Sequence, residues 1–304
     1  MSQAIFQDVA REWWEKYMLR GAVCYAEECW RRLEREVMPE LGKRPLAKIT
    51  PLMILTILRR IEAKGFVVTA HKVKSHISQT FRYGIACGLV YTNPARDLTY
   101  ALAPKISTPR AAVTEPRQVG VLMREINAFR PIQRRCALQF AALTFVRPGE
   151  LCRAEWSEIE MDAGAWRIPA HKMKMQKPHI VPLAMQTQEV LRELRALTGS
   201  GRWLFPSRYD ASKPMGRLVL NTGLRRLGYG PEVMTAHGFR AMAATLLSEQ
   251  GWSSEVIEKQ LAHADRNQVR AAYQRSELLA ERRKMMQAWA DYLEVQYARA
   301  MRRK

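Results

Sequence analysis

His237 and Arg240 stand three residues apart at the mouth of an otherwise apolar stretch, TAHGFRAMAATLLSEQG, where neither side chain helps a core. One helical turn brings an imidazole and a guanidinium to the same side. The spacing alone decides little. With 6 histidines and 49 Lys+Arg in 304 residues, chance supplies about one such pair, and His71 with Lys74, His171 with Lys174 and His263 with Arg266 share the spacing. The pair acquires meaning only if other groups converge on the same chemistry.

Three further stretches bear on that question. In LTFVRPGELCRAEW, Arg147 precedes Pro148, which favours the first turn of a helix, and Glu150 lies three residues on. Arg147 reads either as an ion-pair partner of Glu150 or as a cation at a helix N-terminus suited to a phosphate. In HKMKMQKPHIVPL, Lys172, Lys174 and Lys177 fall on a turn, from which a lysine can donate a proton to a leaving oxygen, although most turn lysines are solvated. In LAHADRNQVRAAYQRSE, Tyr273 follows His263 by ten residues, with Arg270 and Arg275 on either side. Neighbouring guanidinium groups favour a phenolate, which makes Tyr273 a candidate nucleophile; a packed tyrosine is the commoner case.

The rest of the chain must position these groups, and its composition limits what they act on. It is 47% hydrophobic and 26% charged, enough for packed cores and two domains. The formal charge of +20, spread along the whole length, points to a polyanionic partner. No apolar stretch approaches the roughly 20 residues that cross a bilayer, and the N-terminus lacks a signal-peptide layout. Five scattered cysteines fit a reducing cytoplasm, and neither cysteine nor histidine spacing suggests a metal site. A Walker-type phosphate loop is absent from the sequence.

The first hundred residues read as helical. FQDVAREWWEKYML and AEECWRRLEREVM carry apolar residues at three-to-four spacing. ITPLMILTILRRIEAKG opens with Thr50 as N-cap and Pro51 at the first helical position, and stops at Gly65. A fourth helix is expected over about 69–88. On it His71, Lys74, Ser75, Ser78 and Arg82 share one side, either a face that lies against DNA or a solvated outer face. Proline-rich LAPKISTPRAAVTEPRQ marks a linker, giving a helical domain over 1–102, a linker over 103–112 and a second domain over 113–304. In the second domain, Thr114 followed by Glu115-Pro116 suggests a capped helix start. Helices are expected over about 117–128 and 132–145. AWRIPA and HIVPLA read as a small antiparallel pair, with RWLFPS as an edge strand demoted by its proline. The fold class is mainly α with a small β-sheet, and the last helix, RRKMMQAWADYLEVQYARAMRRK, needs an apolar surface on its own domain or on a neighbouring copy.

Taken in order, Arg147, Glu150, Lys174, His237, Arg240, His263 and Tyr273 resemble the site of the tyrosine recombinase (phage integrase) family. The surrounding text matches as well: RPGEL followed by WSEI, VPLA after the lysine, HGFRAMAATLL, and VIEKQLAHAD before the tyrosine. The likeness covers residue 112 to the C-terminus, and the helical first domain fits the family's core-binding domain. Within the family the chain looks most like integrases of satellite phages and genomic islands, partly through RRKMMQAWADYL. Two departures stand out. Such integrases carry an additional N-terminal domain for arm-type sites, and this chain begins where the core-binding domain would. The expectation from the resemblance is that such a domain was either removed or never part of the protein. The lysine turn reads Met173-Lys174-Met175 where Gly-Lys-Gly is common, leaving Lys172 and Lys177 as alternatives, although counting back from VPL favours Lys174.

The resemblance implies a site-specific recombinase that integrates or excises a mobile element. In that reading Tyr273 attacks a phosphodiester and forms a covalent 3′-phosphotyrosyl intermediate, so no cofactor and no metal are required. Arg147 and Arg240 hold the non-bridging oxygens, with His263 as a further donor. Lys174 protonates the departing 5′ oxygen, His237 exchanges a proton near the nucleophile, and Glu150 positions a neighbour. The partners implied are double-stranded DNA attachment sites, a homotetramer on DNA and accessory directionality factors, in the cytoplasm and associated with the nucleoid. Two other readings are a type IB topoisomerase, which relaxes DNA with a similar residue set, and a non-catalytic DNA-binding regulator. An RNA-binding protein is disfavoured by the lack of aromatic platforms.

Overall fold

The computed structural model describes residues 4–19, 23–106, 111–173, 175–263 and 278–302. The chain divides into two compact units, Met1–Thr108 and Pro109–Lys304.

In the first unit, α1 (Phe6–Trp13) runs into a π-helical turn, followed by α2 (Val23–Glu36), the single turn α3 (Met38–Leu41), α4 (Pro51–Ala63) and α5 (Val67–Ala86). Thr50 caps α4 as its sequence suggests, its hydroxyl accepting from the Met53 N–H at 3.4 Å, and Gly65 ends the helix at φ 82°. Phe6, Leu33, Ile54, Ile57, Leu58, Val73, Ile77 and Phe81 are all almost fully buried in one core.

The second unit begins with α6 (Pro116–Ala128) and α7 (Ile132–Thr144). The cap of α6 is Glu115 rather than Thr114: its carboxylate accepts from the N–H groups of Arg117 and Gln118 at 3.0 and 2.8 Å. One turn, α8 (Pro148–Cys152), leads into an antiparallel sheet of β1 (Ile159–Glu160), β2 (Ala165–Ile168) and β3 (His179–Pro182), in that order. Trp166 on the central strand pairs with Ile159 on one side and Val181 on the other. The stretch RWLFPS forms no strand; it contributes only single bridges, Glu155 to Trp203 and Pro206 to Pro214, because Pro206 has no N–H to continue a ladder. Helices α9 (Met185–Thr198), α10 (Leu218–Arg226), α11 (Gly238–Glu249), α12 (Ser254–Gln260) and α13 (Leu279–Met301) complete the described part. The fold is mainly helical with a small sheet.

Helix α13 settles where its apolar face goes. Met285, Met286, Trp289 and Leu293 are buried in the core of their own unit, and Phe145 meets Trp289 edge-on at 6.2 Å. The closest approach is to α6, where a Cβ on Gly120 would lie 2.4 Å from the Gln296 carbonyl oxygen, so only glycine fits. No described helix is long and apolar enough to cross a membrane.

Candidate active site

The site is assembled from helix ends. The C-terminus of a helix leaves carbonyl groups without intrahelical partners and carries a partial negative charge, so it attracts cations. Two such ends, those of α7 and α12, converge on the arginines singled out in the sequence. Phe145 closes α7 in a left-handed conformation, φ 40°, and Arg240 Nη1 donates to its carbonyl oxygen at 2.9 Å. Arg240 Nη2 donates to the Leu261 carbonyl at the end of α12, at 2.7 Å. Arg147 Nη2 donates to the next carbonyl, that of Ala262, at 2.9 Å. The guanidinium groups of α11 and of the α8 entry therefore share one helix terminus, although 93 residues separate them in sequence.

Each arginine is held further. Arg147 is the N-cap of α8, and Glu150 reaches back to it twice: one carboxylate oxygen accepts from the Arg147 N–H at 3.0 Å and the other from Nη1 at 2.9 Å. The ion pair of Arg147 with Glu150 is thus real, and it fixes the same guanidinium that points at Ala262. Arg240 is only 5% exposed. Burial first, then the neighbouring Arg147 charge, push its pKa down to about 10; the Glu150 and Glu258 carboxylates act the other way. It remains a cation at neutral pH.

His263 completes the cluster. Its Nε2 lies 3.2 Å from Arg240 Nη2, and its Nδ1 lies 2.5 Å from Glu258 Oε2. His237 sits half-buried at the N-cap of α11, one turn before Arg240, and its carbonyl accepts from the Arg240 N–H at 3.1 Å. Arg147, Glu150, Arg240 and His263 are therefore brought together, with His237 at the mouth of the same helix. Lys174 and Tyr273 lie outside the described residues.

Of the two alternative lysines, Lys172 has another task. It is 8% exposed, and its ammonium donates to Glu155 Oε1 at 2.7 Å, to the Arg153 carbonyl at 2.8 Å and to Glu158. That engagement ties it to the segment between α8 and β1. Lys177 is exposed on the turn.

Sequence reasoning passed over three residues around this cluster. Glu258 is one. His179 on β3 is the second, its Nε2 donating to the Gln260 carbonyl at 3.1 Å. Burial, then the Arg282 charge and more distantly Arg147 and Arg240, lower its pKa to about 3, so it stays neutral. Arg282, 2% exposed on α13, donates to Gln260 Oε1 from Nη2 at 2.7 Å and to the Ile180 carbonyl, tying β3, α12 and α13 into one frame. PHIVPL and RRKMM carried the signal for His179 and Arg282, since each places a polar residue beside an apolar run.

The stripe expected along α5 in the first unit needs correction. Ser75 and Arg82 are exposed, but His71 and Ser78 are buried, and Lys74 is half-buried. The reason is the returning chain after α5. His71 Nε2 bonds the Ala103 carbonyl at 2.9 Å, the Ser78 hydroxyl accepts from the Asn93 amide at 2.8 Å, and Lys74 Nζ donates to the Arg96 carbonyl at 2.8 Å.

Known proteins resemble the chain over most of its length. Residues 112–278 match the phage integrase family and residues 6–101 match the phage integrase central domain. Prophage integrase IntA of Escherichia coli (strain K12) is 34% identical over 93% of this chain and 68% of its own length. The integrase of Enterobacteria phage P4 is 35% identical over 95% of this chain and 69% of its own length. Among solved structures, a lambda integrase dimer bound to a COC′ core site aligns with a TM-score of 0.69 and 20% identity, over 86% of this chain and 96% of that one. A lambda integrase tetramer bound to a Holliday junction aligns at 0.68 and 20% identity, over 86% and 78%. The chain belongs to the phage integrase family and is a site-specific tyrosine recombinase.

Proposed function

We propose that the chain cuts and rejoins double-stranded DNA at attachment sites through a 3′-phosphotyrosyl bond to Tyr273, so integrating or excising a mobile element. The observation that carries this reading is the convergence of Arg147, Arg240 and His263 on the end of α12, with Nη2 of Arg240 and Nε2 of His263 only 3.2 Å apart. Two fixed guanidinium groups present several donors in planar forks, which suit the non-bridging oxygens of one phosphate.

In this scheme the Tyr273 oxygen attacks phosphorus and its proton passes to His237. Charge develops on the two non-bridging oxygens, which Arg147, Arg240 and His263 stabilise. The P–O5′ bond breaks, and Lys174 gives the 5′ oxygen its proton. A 5′-hydroxyl of a partner strand then reverses the sequence, and strand exchange results. Glu150 holds Arg147 in place for both steps. The net charge of +20 supports DNA as the partner. The lambda integrase structures on a core site and on a Holliday junction support assembly on DNA as dimer and tetramer. Accessory factors that set direction, and action at the nucleoid, belong to the same reading.

The test is covalent capture. Denaturing extraction of wild-type protein incubated with DNA of its host element should leave one DNA segment attached, and sequencing it gives the cleavage site. Tyr273→Phe should bind that DNA as before and yield no attached segment. A variant that still captured DNA at the wild-type level would show that another residue is the nucleophile.

A further inference from the structure

Glu258 plays no part in the scheme above, yet it makes two bonds to His263. The end of α12 is a Schellman motif: the Ala262 N–H donates to the Lys259 carbonyl at 3.1 Å, and the His263 N–H to the Glu258 carbonyl at 3.2 Å. The residue that turns the chain is Ala262 at φ 48°, a conformation that glycine adopts more easily. The turn lays the His263 ring back over the last turns of α12. There the Glu258 carboxylate meets Nδ1 at 2.5 Å, while Nε2 faces Arg240. Backbone and side chain of a single residue thus fix both the height and the rotation of the imidazole.

We infer that Glu258 is a positioning residue that aims His263 at the scissile phosphate. This rests on the strand-cleavage reading. The bond from Nδ1 to Glu258 leaves Nε2 as the nitrogen that faces Arg240, so the carboxylate sets which ring nitrogen is presented to the phosphate. Without the carboxylate, the ring is free to rotate and its Nδ1 proton loses its acceptor. The pair contributes little to folding, because the side chains are 54% and 44% exposed and water screens them. Stability and catalysis therefore separate cleanly at this position.

The probe is a nicked duplex bearing the sequence recovered by covalent capture, with single-turnover adduct formation as the readout. Glu258→Ala should slow the adduct by about 10- to 100-fold, short of the 10²–10³ expected for losing a direct donor, with melting temperature and DNA affinity unchanged. Glu258→Gln, which keeps an acceptor but no charge, should fall between. In a His263→Ala background, Glu258→Ala should add nothing. A wild-type rate for Glu258→Ala, or an equal further loss in that background, overturns the inference. Failure of wild-type protein to form any adduct would instead overturn the cleavage reading, and this inference with it.

Discussion

Arg240 donates to the carbonyl oxygen of Phe145 across 2.9 Å, and Phe145 holds the left-handed backbone that presents that oxygen. Both residues are buried, so the bond is shielded from water. Lysine has one nitrogen and cannot serve Phe145 and Leu261 together in the geometry of the fork. Arg240→Lys should lose about 1–3 kcal/mol of stability, because a buried carbonyl is left unpaired, and slow adduct formation on the order of 10²–10³-fold. Urea unfolding and single-turnover cleavage check the two halves separately. Unchanged unfolding would mean that the carbonyl finds another donor.

The three lysines of the turn should divide by role. Lys172→Met leaves Glu155 and Glu158 without their shared cation, and breaking a buried pair costs about 3–5 kcal/mol; Arg202, on Glu155 at 2.9 Å, softens the loss. Lys174→Ala should fold normally and fail to cleave. Lys177→Ala should do neither harm. A cleavage defect in Lys177→Ala with normal cleavage in Lys174→Ala would reassign the acid.

Acid should weaken the second unit in two windows. His179 titrates near 3 in the folded chain against an ordinary 6.5, so folding favours its neutral form. That stability is complete above about 6.5 and is lost as pH falls towards 3. Glu155 is lowered to about 2 from 4.5, mainly by its hydrogen bond from Arg202 and then by Lys172, so its contribution is present above 4.5 and lost on the way to 2. Urea midpoints between pH 7 and 3 should therefore fall less steeply in His179→Asn than in wild type. Parallel curves would count against the assignment.

On α5, exposure decides which residues can meet a phosphate. Arg82→Ala should weaken DNA binding and reduce the salt slope by about one. His71→Ala should lower stability and leave that slope alone, because its ring is bonded to Ala103 inside the unit. Binding that is indifferent to salt would argue against a phosphate-contacting first unit.

Local chemistry makes much of the fold legible in the sequence. Thr50-Pro51 and Gly65 bracket α4, and AWRI pairs with HIVP as two short β-like runs on either side of HKMKMQKP. What periodicity could not supply was the path of the chain after α5. A helical wheel places His71 and Ser78 beside Arg82, but the return of residues 93–103 covers two of the three. The site shows the same division. The spacing of Arg147 with Glu150 and of His237 with Arg240 was legible, since each pair lies within one helical turn. Glu258 was not, because residues five apart meet only where a helix ends in a left-handed turn.

Because α13 fills the core of its own unit, the length of the chain is under a constraint that the chemistry alone does not impose. A premature stop just beyond Tyr273 would preserve every group assigned to cleavage and still strip out Met285, Met286, Trp289 and Leu293. Phe145, whose ring rests against Trp289, would then lose the packing that holds its carbonyl towards Arg240. Late nonsense and frameshift alleles should accordingly behave as complete loss of the gene product.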